Sequence, residues 1–375
     1  METPIPLIDV LAHREIIGDK IDKRIAEVVA HGKWIMGPEV AELENELSEF
    51  VGAGVHTISC SNGTDALVLA MQALGVQPGD AIICPAFTFV ATAEAAAFLG
   101  AHPIFADVEP SGYNLDHESV LPAANVAKRN GLNVVGICAV DLFGVPADYP
   151  GLQAVAEELN CWILADAAQS FGGSRADDMV GSLAEVTTTS FFPAKPLGCY
   201  GDGGAVFTRS SDIADELRSL RVHGKGSHKY ENVRIGQNSR LDTLQAAILL
   251  PKLGLLHDEI KMRQRVADRY SQGLMGHVGL PEVPAKTSSA WAQYTIVTDA
   301  RDHAIEALTN AGIGSAIYYP KPLHLQVGYR HYHDDNINLD RTEWLSSRVL
   351  SLPMHPYLAD AAIDRTIQVI TDCSS

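Results

Sequence analysis

Between about residues 56 and 208, short apolar runs alternate with segments in which apolar positions recur at helical spacing. The short runs predict buried β-strands, and the longer periodic segments predict helices. Their alternation predicts an α/β fold with a mostly parallel seven-stranded sheet flanked by helices. The predicted strands are residues 56–60, 81–84, 103–106, 133–139, 162–165, 187–192 and 205–208, and helices are predicted at residues 64–74, 88–99 and 152–159.

The pattern changes after residue 240. Residues 241 to about 275 predict one long helical stretch, in which Pro251 predicts a kink or a local break. A predicted strand at 291–297, a helix at 301–311, a strand at 315–319 and two C-terminal helices follow. We therefore expect a large domain over residues 1–250, which includes the N-terminal helices, and a smaller C-terminal α/β domain over residues 251–375.

The net charge and the spacing of the cysteines argue against some classes of function. The net charge of −18 at pH 7 argues against nucleic-acid binding, because phosphate contacts require clustered Lys and Arg. The six cysteines show no CxxC pair and no metal-ligand spacing, so we expect no metal site and buried free thiols at Cys60, Cys84, Cys138 and Cys161. No apolar stretch approaches membrane-spanning length, and residues 1–6 show no signal-peptide pattern. We expect a cytoplasmic protein with no membrane partner.

Lys195 is unusual because residues 190–204 are otherwise almost entirely apolar or glycine-rich. Removal of a lysine from water lowers its pKa, which suits an amine that attacks a carbonyl. Pro196 disfavours helix at Lys195, so we expect a strand end or a loop. The alternative is a lysine that snorkels to solvent at a strand end.

Residues 61–67 follow a predicted strand and open a helix with small residues. Free backbone N–H groups and the positive end of the helix dipole make such a start suitable for phosphate. The alternative is an ordinary helix start with Asn62 or Thr64 as the cap.

Two other strand ends carry candidate side chains. Asp166 directly follows four apolar residues, and a buried carboxylate there requires a cationic or hydrogen-bonding partner, such as a protonated pyridine nitrogen. The alternative is a cap of the following loop or helix. Phe89 follows the strand that ends at Cys84 and is a candidate to stack on a planar ring, with a core position as the alternative.

These segments occur in the same order as in a known family, and the chain resembles DegT/StrS sugar-nucleotide aminotransferases that use pyridoxal 5′-phosphate (PLP). The resemblance runs from about residue 6 to the C-terminus and implies the fold-type I architecture. The segments that carry it are residues 61–67, 85–89, 166–170, 190–195, 201–204 and 236–240.

The resemblance implies roles for single residues. Lys195 would bind the cofactor covalently and carry protons between C4′ of the cofactor and the sugar carbon, and Asp166 would pair with the pyridinium nitrogen. Asn238 would come from the neighbouring subunit, which implies a homodimer with composite sites. The remaining implied cofactor contacts are Gly63, Thr64 and Ser190 at the phosphate, Phe89 on the ring face, and Gln169 at the ring or its 3-hydroxyl.

Within the family, the resemblance favours amination at C3 of UDP-2-acetamido-2-deoxy-3-oxo-glucuronate for a surface polysaccharide. Glutamate would donate the amine, leaving 2-oxoglutarate and pyridoxamine phosphate (PMP). Arg240 suits the uronate carboxylate, because a guanidinium matches it bidentately. Tyr318, Tyr319 and His324 are candidates for the sugar or diphosphate, or are packing residues of the small domain. The alternatives are a C4 or other C3 aminotransferase of a UDP- or dTDP-linked keto-6-deoxy sugar, and a catalytically silent PLP-binding regulatory protein.

Overall fold

The central sheet contains seven strands, as predicted. The computed structural model describes residues 3–228 and 230–373. Residues 1–2 of the predicted large domain and residues 374–375 of the predicted small domain lie outside the described residues. The strands are β1 (His56–Cys60), β2 (Asp80–Pro85), β3 (His102–Ala106), β4 (Asn133–Val140), β5 (Trp162–Asp166), β6 (Ser174–Arg175), β7 (Asp178–Met179), β8 (Val186–Ser190), β9 (Gly204–Thr208), β10 (Thr287–Ser288), β11 (Tyr294–Val297) and β12 (Val349–Leu352).

The sheet has the order β1-β9-β8-β5-β4-β2-β3. Only β9 runs antiparallel to its neighbours, so the other strands end at one edge. Val140 of β4 pairs with Asp166 of β5, and Asp166 pairs with Thr188 of β8. This register brings the ends of β4, β5 and β8 together, which is where parallel sheets place ligands.

Helices cover both faces of the sheet. They are α1 (Val10–His31), α2 (Pro38–Val51), α3 (Gly63–Ala73), α4 (Ala91–Phe98), α5 (His117–Arg129), α6 (Tyr149–Leu159), α7 (Ser211–Leu220), α8 (Thr243–Leu253), α9 (Leu256–Leu274), α10 (Arg301–Asn310), α11 (Asp340–Ser346) and α12 (Asp360–Cys373), with short 3-10 turns at Leu142–Gly144, Leu323–Leu325 and Arg330–Tyr332. One apolar core includes Ile58 and Leu164, and the core on the opposite face includes Phe207 and Leu249. Among the described helices, none has the length and apolar character needed to cross a bilayer.

The C-terminal region has its own apolar core. Strands β11 and β12 pair antiparallel, and α9, α10 and α12 contribute to the same cluster. Ile5 also belongs to this cluster and forms a bridge with Ile313. The predicted break near Pro251 is confirmed, because α8 ends at Leu253 and α9 begins at Leu256. The domain boundary predicted at residue 250 falls inside α8 and stays a prediction.

Several local predictions were wrong. Residues 315–319 do not form a strand: Ala316 bridges Ser351, after which the chain leaves the ladder and packs Tyr319 against Phe87. Strand β12 was missed because it lies between two predicted helices. Helix α4 begins at Ala91 rather than at residue 88, since residues 88–90 form a loop.

The six cysteines are all free thiols. The prediction that they are buried is confirmed for Cys60, Cys84 and Cys138. It is wrong for Cys161, which is half-buried because it lies just after helix α6 and before β5, where the chain passes near solvent.

Candidate active site

Asp166 lies at the carboxyl end of β5 and is only 6% exposed. The Thr92 hydroxyl donates to Oδ2 at 2.9 Å, and the Ala168 backbone N–H donates to Oδ1 at 3.2 Å. Burial raises the pKa of Asp166, whereas these two bonds and the charge of Lys195 lower it. The carboxylate can therefore stabilise a cationic group placed against it.

Lys195 lies in the loop after β8, as its neighbour Pro196 predicts, and is half-buried. Its backbone N–H donates to the Phe192 carbonyl at 2.8 Å, which closes a turn. Burial lowers the pKa of Lys195, and the nearby carboxylate of Asp166 raises it. The two candidate catalytic residues therefore share one site. A lysine that reaches out to water would not have its pKa lowered in this way.

The start of α3 lies directly against the end of β8. Asn62 caps the helix by accepting the Asp65 N–H at 2.8 Å, which confirms it as the N-cap. A Cβ on Gly63 would lie 2.7 Å from the Cβ of Ser190, so only glycine allows this approach. Gly63, Thr64 and Ser190 thus meet at a helix N-terminus, where backbone N–H groups suit a phosphate.

An aromatic side chain remains open to solvent at this edge. Phe89 is 54% exposed, so the alternative that it is a core residue is wrong. Its ring centroid lies 6.2 Å from that of Tyr319. The Tyr319 hydroxyl accepts from Gln169 Nε2 at 3.3 Å, and Gln169 Oε1 accepts the Phe143 N–H at 2.6 Å. Phe89, Tyr319 and Gln169 therefore form one side of the candidate site.

The segment predicted to reach the neighbouring subunit lies near the surface. Asn238 is exposed and forms an isolated bridge with Val222. Arg240 is half-buried, and its buried Nε has no hydrogen-bond partner among the described residues.

The other two predicted substrate residues differ in their surroundings. Tyr318 is half-buried beside Tyr319, with ring centroids 5.8 Å apart. His324 is buried, and its Nε2 lies 3.0 Å from Glu343 Oε1. The His324 ring also packs against His333 at 4.9 Å. These contacts hold His324 among residues of the C-terminal region, so the packing interpretation accounts for it without a ligand.

Sequence reasoning missed two polar residues beside Asp166. Thr92 donates directly to its carboxylate. Asp141 directly follows β4, whereas Asp166 is the last residue of β5. Asp141 accepts hydrogen bonds from Ser170 Oγ at 2.6 Å and Tyr149 Oη at 2.7 Å. Burial raises the pKa of Asp141 to about 6. An acid after an apolar strand was the available signal for Asp141, whereas Thr92 gave none.

Within residues 3–228 and 230–373, no group of three or more His, Cys, Asp or Glu side chains is arranged to hold a metal ion. The chemistry available at this site is that of a buried acid, an amine with a lowered pKa, a helix start suited to phosphate and an exposed aromatic ring.

Comparison with known proteins gives full-length matches. The profile of the DegT/DnrJ/EryC1/StrS aminotransferase family matches residues 15–371. The chain is 44% identical to UDP-2-acetamido-2-deoxy-3-oxo-D-glucuronate aminotransferase of Pseudomonas aeruginosa, over 98% of this chain and 100% of that protein. A crystal structure of a DegT DnrJ EryC1 StrS aminotransferase from Brucella abortus is 50% identical, with a TM-score of 0.96 over 98% of this chain and 99% of that one. The structure of DesV from S. venezuelae is 33% identical, with a TM-score of 0.94 over 100% and 99% of the two chains.

Proposed function

Because the chain belongs to the DegT/DnrJ/EryC1/StrS aminotransferase family, whose members depend on PLP, we propose that it aminates C3 of UDP-2-acetamido-2-deoxy-3-oxo-glucuronate with glutamate as the donor. The single observation that carries the choice of substrate is the 44% identity, over essentially both full lengths, to an enzyme with this activity. In this proposal the enzyme works in the cytoplasm, in the synthesis of a surface polysaccharide such as an O-antigen.

The site residues fit PLP. Asp166 is a buried acid with one donor on each oxygen, and it lies beside Lys195. Because Gly63 has no side chain, Ser190 lies directly against the helix start where the phosphate would bind. Bound there, PLP supplies the electron sink for breaking a substrate C–H bond.

The roles of the two catalytic residues follow from their environments. Asp166 would keep the ring nitrogen protonated, because a carboxylate favours a nearby cation. Lys195 would hold the cofactor and then move a proton between the substrate carbon and C4′ of the cofactor. An amine needs a neutral form for this task, and burial lowers the pKa of Lys195 towards it.

The remaining cofactor contacts are proposals of the same kind. Gly63, Thr64 and Ser190 would bind the phosphate. Phe89 would stack on the ring, since its side chain is exposed at the site. Gln169, which is already held by Phe143, would contact the ring or its 3-hydroxyl.

A homodimer would complete the site, with Asn238 of the partner subunit at the phosphate. Exposed apolar residues support an interface on this part of the surface. Trp34 and Ile35 are about half exposed. Ile35 forms a bridge with Asp242, which follows Asn238 by four residues in the chain. Ile235 is 89% exposed and precedes Asn238 by three residues. A second copy would bury this apolar surface.

For the sugar nucleotide, we assign the uronate carboxylate to Arg240. Its half-buried guanidinium supports this role, because its planar set of N–H donors matches a carboxylate bidentately. Tyr318, Tyr319 and His324 would line the sugar or diphosphate side, and Tyr319 has the strongest support because it contacts both Phe89 and Gln169.

The test compares three ketoses with glutamate as donor: the 3-oxo-glucuronate, the corresponding 3-oxo-glucose derivative without a carboxylate, and a dTDP-4-keto-6-deoxy sugar. We expect the uronate to give the highest kcat/KM. Arg240→Gln should lower kcat/KM for the uronate roughly 10- to 100-fold, as expected for a charge-assisted hydrogen bond, and leave the uncharged ketose nearly unchanged. Equal or better turnover of the 4-keto substrate would contradict the proposal. PLP-bound protein whose absorbance glutamate leaves unchanged would instead support the catalytically silent regulatory alternative. Protein that binds no PLP would refute both.

A further inference from the structure

Asp166 depends on a threonine from another element. The Thr92 hydroxyl donates to Asp166 Oδ2 at 2.9 Å, and Thr92 is only 1% exposed. Thr92 lies in the first turn of α4, which follows β2, whereas Asp166 ends β5. The two residues are 74 positions apart in the chain, so this bond exists only in the folded protein.

The direction of this hydrogen bond determines its electrostatic effect. An ionised carboxylate has no proton to give, so the hydroxyl must donate to it. A hydrogen bond donated to a carboxylate stabilises the charged form and lowers its pKa. Burial acts in the opposite direction on Asp166 and is the largest influence on its pKa. The Thr92 hydroxyl is the largest opposing influence, ahead of the Ala168 N–H and the charge of Lys195.

Thr92 also restricts the orientation of the carboxylate. Ala168 N–H binds Oδ1 and Thr92 binds Oδ2, so both oxygens are held. The Thr92 hydroxyl also lies 3.5 Å from the Thr88 hydroxyl, and both threonines are buried. Water therefore has little access from which to replace the Thr92 bond.

We propose that Thr92 is a positioning residue that keeps Asp166 ionised and oriented toward the ring nitrogen of the cofactor. Loss of its hydroxyl makes the carboxylate easier to protonate. A neutral Asp166 no longer favours the protonated ring, and the cofactor becomes a weaker electron sink. The proposal uses the PLP chemistry of the family and does not depend on which sugar nucleotide is aminated.

The decisive variant is Thr92→Val, which keeps the shape of the side chain but lacks the hydroxyl. The matched control is Thr187→Val in β8, since the buried Thr187 hydroxyl has no hydrogen-bond partner among the described residues. Thr92→Ser keeps the hydroxyl and should restore wild-type behaviour. Thr92→Ala removes both the hydroxyl and the methyl group, and it replaces the valine variant if that protein does not fold.

Each holoenzyme is loaded with PLP labelled with ¹⁵N in the ring, and the ring-nitrogen chemical shift is followed against pH. We expect Thr92→Val to move the deprotonation of the ring nitrogen to lower pH, and to slow the reaction with glutamate about 10- to 100-fold, the range for a hydrogen bond to a charged group. Thr187→Val and Thr92→Ser should match the wild type in both measurements.

A purely structural role for Thr92 would lower the thermal midpoint without changing the ring-nitrogen titration. That result, in either the valine or the alanine variant, would overturn the proposal. A wild-type protein that reacts with glutamate but aminates none of the three ketoses would refute the proposed sugar substrate and leave the role of Thr92 standing.

Discussion

The backbone N–H of Thr342 donates to the carboxylate of Asp107 at 2.8 Å, which fixes the start of α11 to the residue that follows β3. The Thr342 hydroxyl donates to the same oxygen at 2.7 Å, and the Arg341 N–H donates to the other at 2.9 Å. The residue directly after a strand of the central sheet thus caps a helix of the C-terminal region. Asp107 therefore helps to set the position of that region relative to the site at the strand ends.

Asp107→Ala should lower the free energy of unfolding by about 2 kcal/mol, because three hydrogen bonds to a carboxylate at a helix start are lost. Urea unfolding followed by circular dichroism measures the change. The control is Asp116→Ala, which removes a cap whose carboxylate accepts the Glu118 N–H at 3.0 Å, an exposed hydrogen bond at the start of α5. Equal losses in the two variants would show that the contact between the two regions adds nothing.

Gly63→Ala tests the close approach of α3 to Ser190. The added Cβ would lie 2.7 Å from the Cβ of Ser190, so one of the two elements must shift. Because both elements would bind the phosphate, we expect the Kd for PLP to rise roughly tenfold or more, as for an overpacked site. An absorbance titration of the apoenzyme measures this affinity.

The control for Gly63→Ala is Gly254→Ala. Gly254 has φ −62°, and its nearest neighbour would be the Pro251 carbonyl at 3.6 Å, so alanine fits there without strain. This variant should retain the wild-type Kd. A Gly63→Ala protein that also binds PLP with wild-type affinity would refute the phosphate-binding role of this helix start.

Charged residues in apolar surroundings were the most informative part of the sequence. Lys195 and Asp166 each interrupt an apolar or glycine-rich run, and in the structure the charge of each shifts the pKa of the other. The seven strands were predictable for a related reason, since each is a short buried run between turns. Local sequence carries this information because burial of a charge is costly and therefore rare without a function.

Contacts between distant segments were not predictable from one sequence. Thr92 is an uncharged residue in an alanine-rich helix, and only the fold shows that its hydroxyl meets Asp166. His324 was a candidate for the sugar or diphosphate from the family resemblance, with packing in the small domain as the alternative, and only the fold shows its contact with Glu343. The prediction of a strand at 315–319 was wrong for a similar reason, since the contact of Tyr319 with Phe87 outweighs the strand propensity of this segment.

Lys252→Met tests how the loop of Lys195 is held in place. Lys252 is buried, and its ammonium donates to the Gly198 carbonyl at 2.6 Å, three residues after Lys195. Burial also lowers the pKa of Lys252 to about 8. Loss of this charged donor should cost about 2 kcal/mol of stability and reduce kcat, because the loop loses an anchor.

Lys261→Met is the control for that substitution. Lys261 is exposed and pairs with Asp258 on the helix surface, at 2.9 Å. The change in stability should therefore stay below about 0.5 kcal/mol. Thermal and urea unfolding, together with the rate of reaction with glutamate, separate the two variants. If both variants behave alike, Lys252 does not anchor the loop.

His355 predicts a loss of stability in acid. Its ring is buried with neither nitrogen hydrogen-bonded among the described residues, and burial lowers its pKa from 6.5 to about 4. Between these values the unfolded chain binds a proton at His355 that the folded chain does not. The contribution of neutral His355 to the free energy of unfolding is therefore full above pH 6.5 and is lost as the pH falls toward 4. Relative to His355→Asn, the wild type should therefore lose about 3 kcal/mol of unfolding free energy over that range. Urea unfolding at several pH values measures the difference, with exposed His303→Asn as the baseline. A difference that stays constant with pH would show that the folded protein protonates His355 as readily as the unfolded chain does.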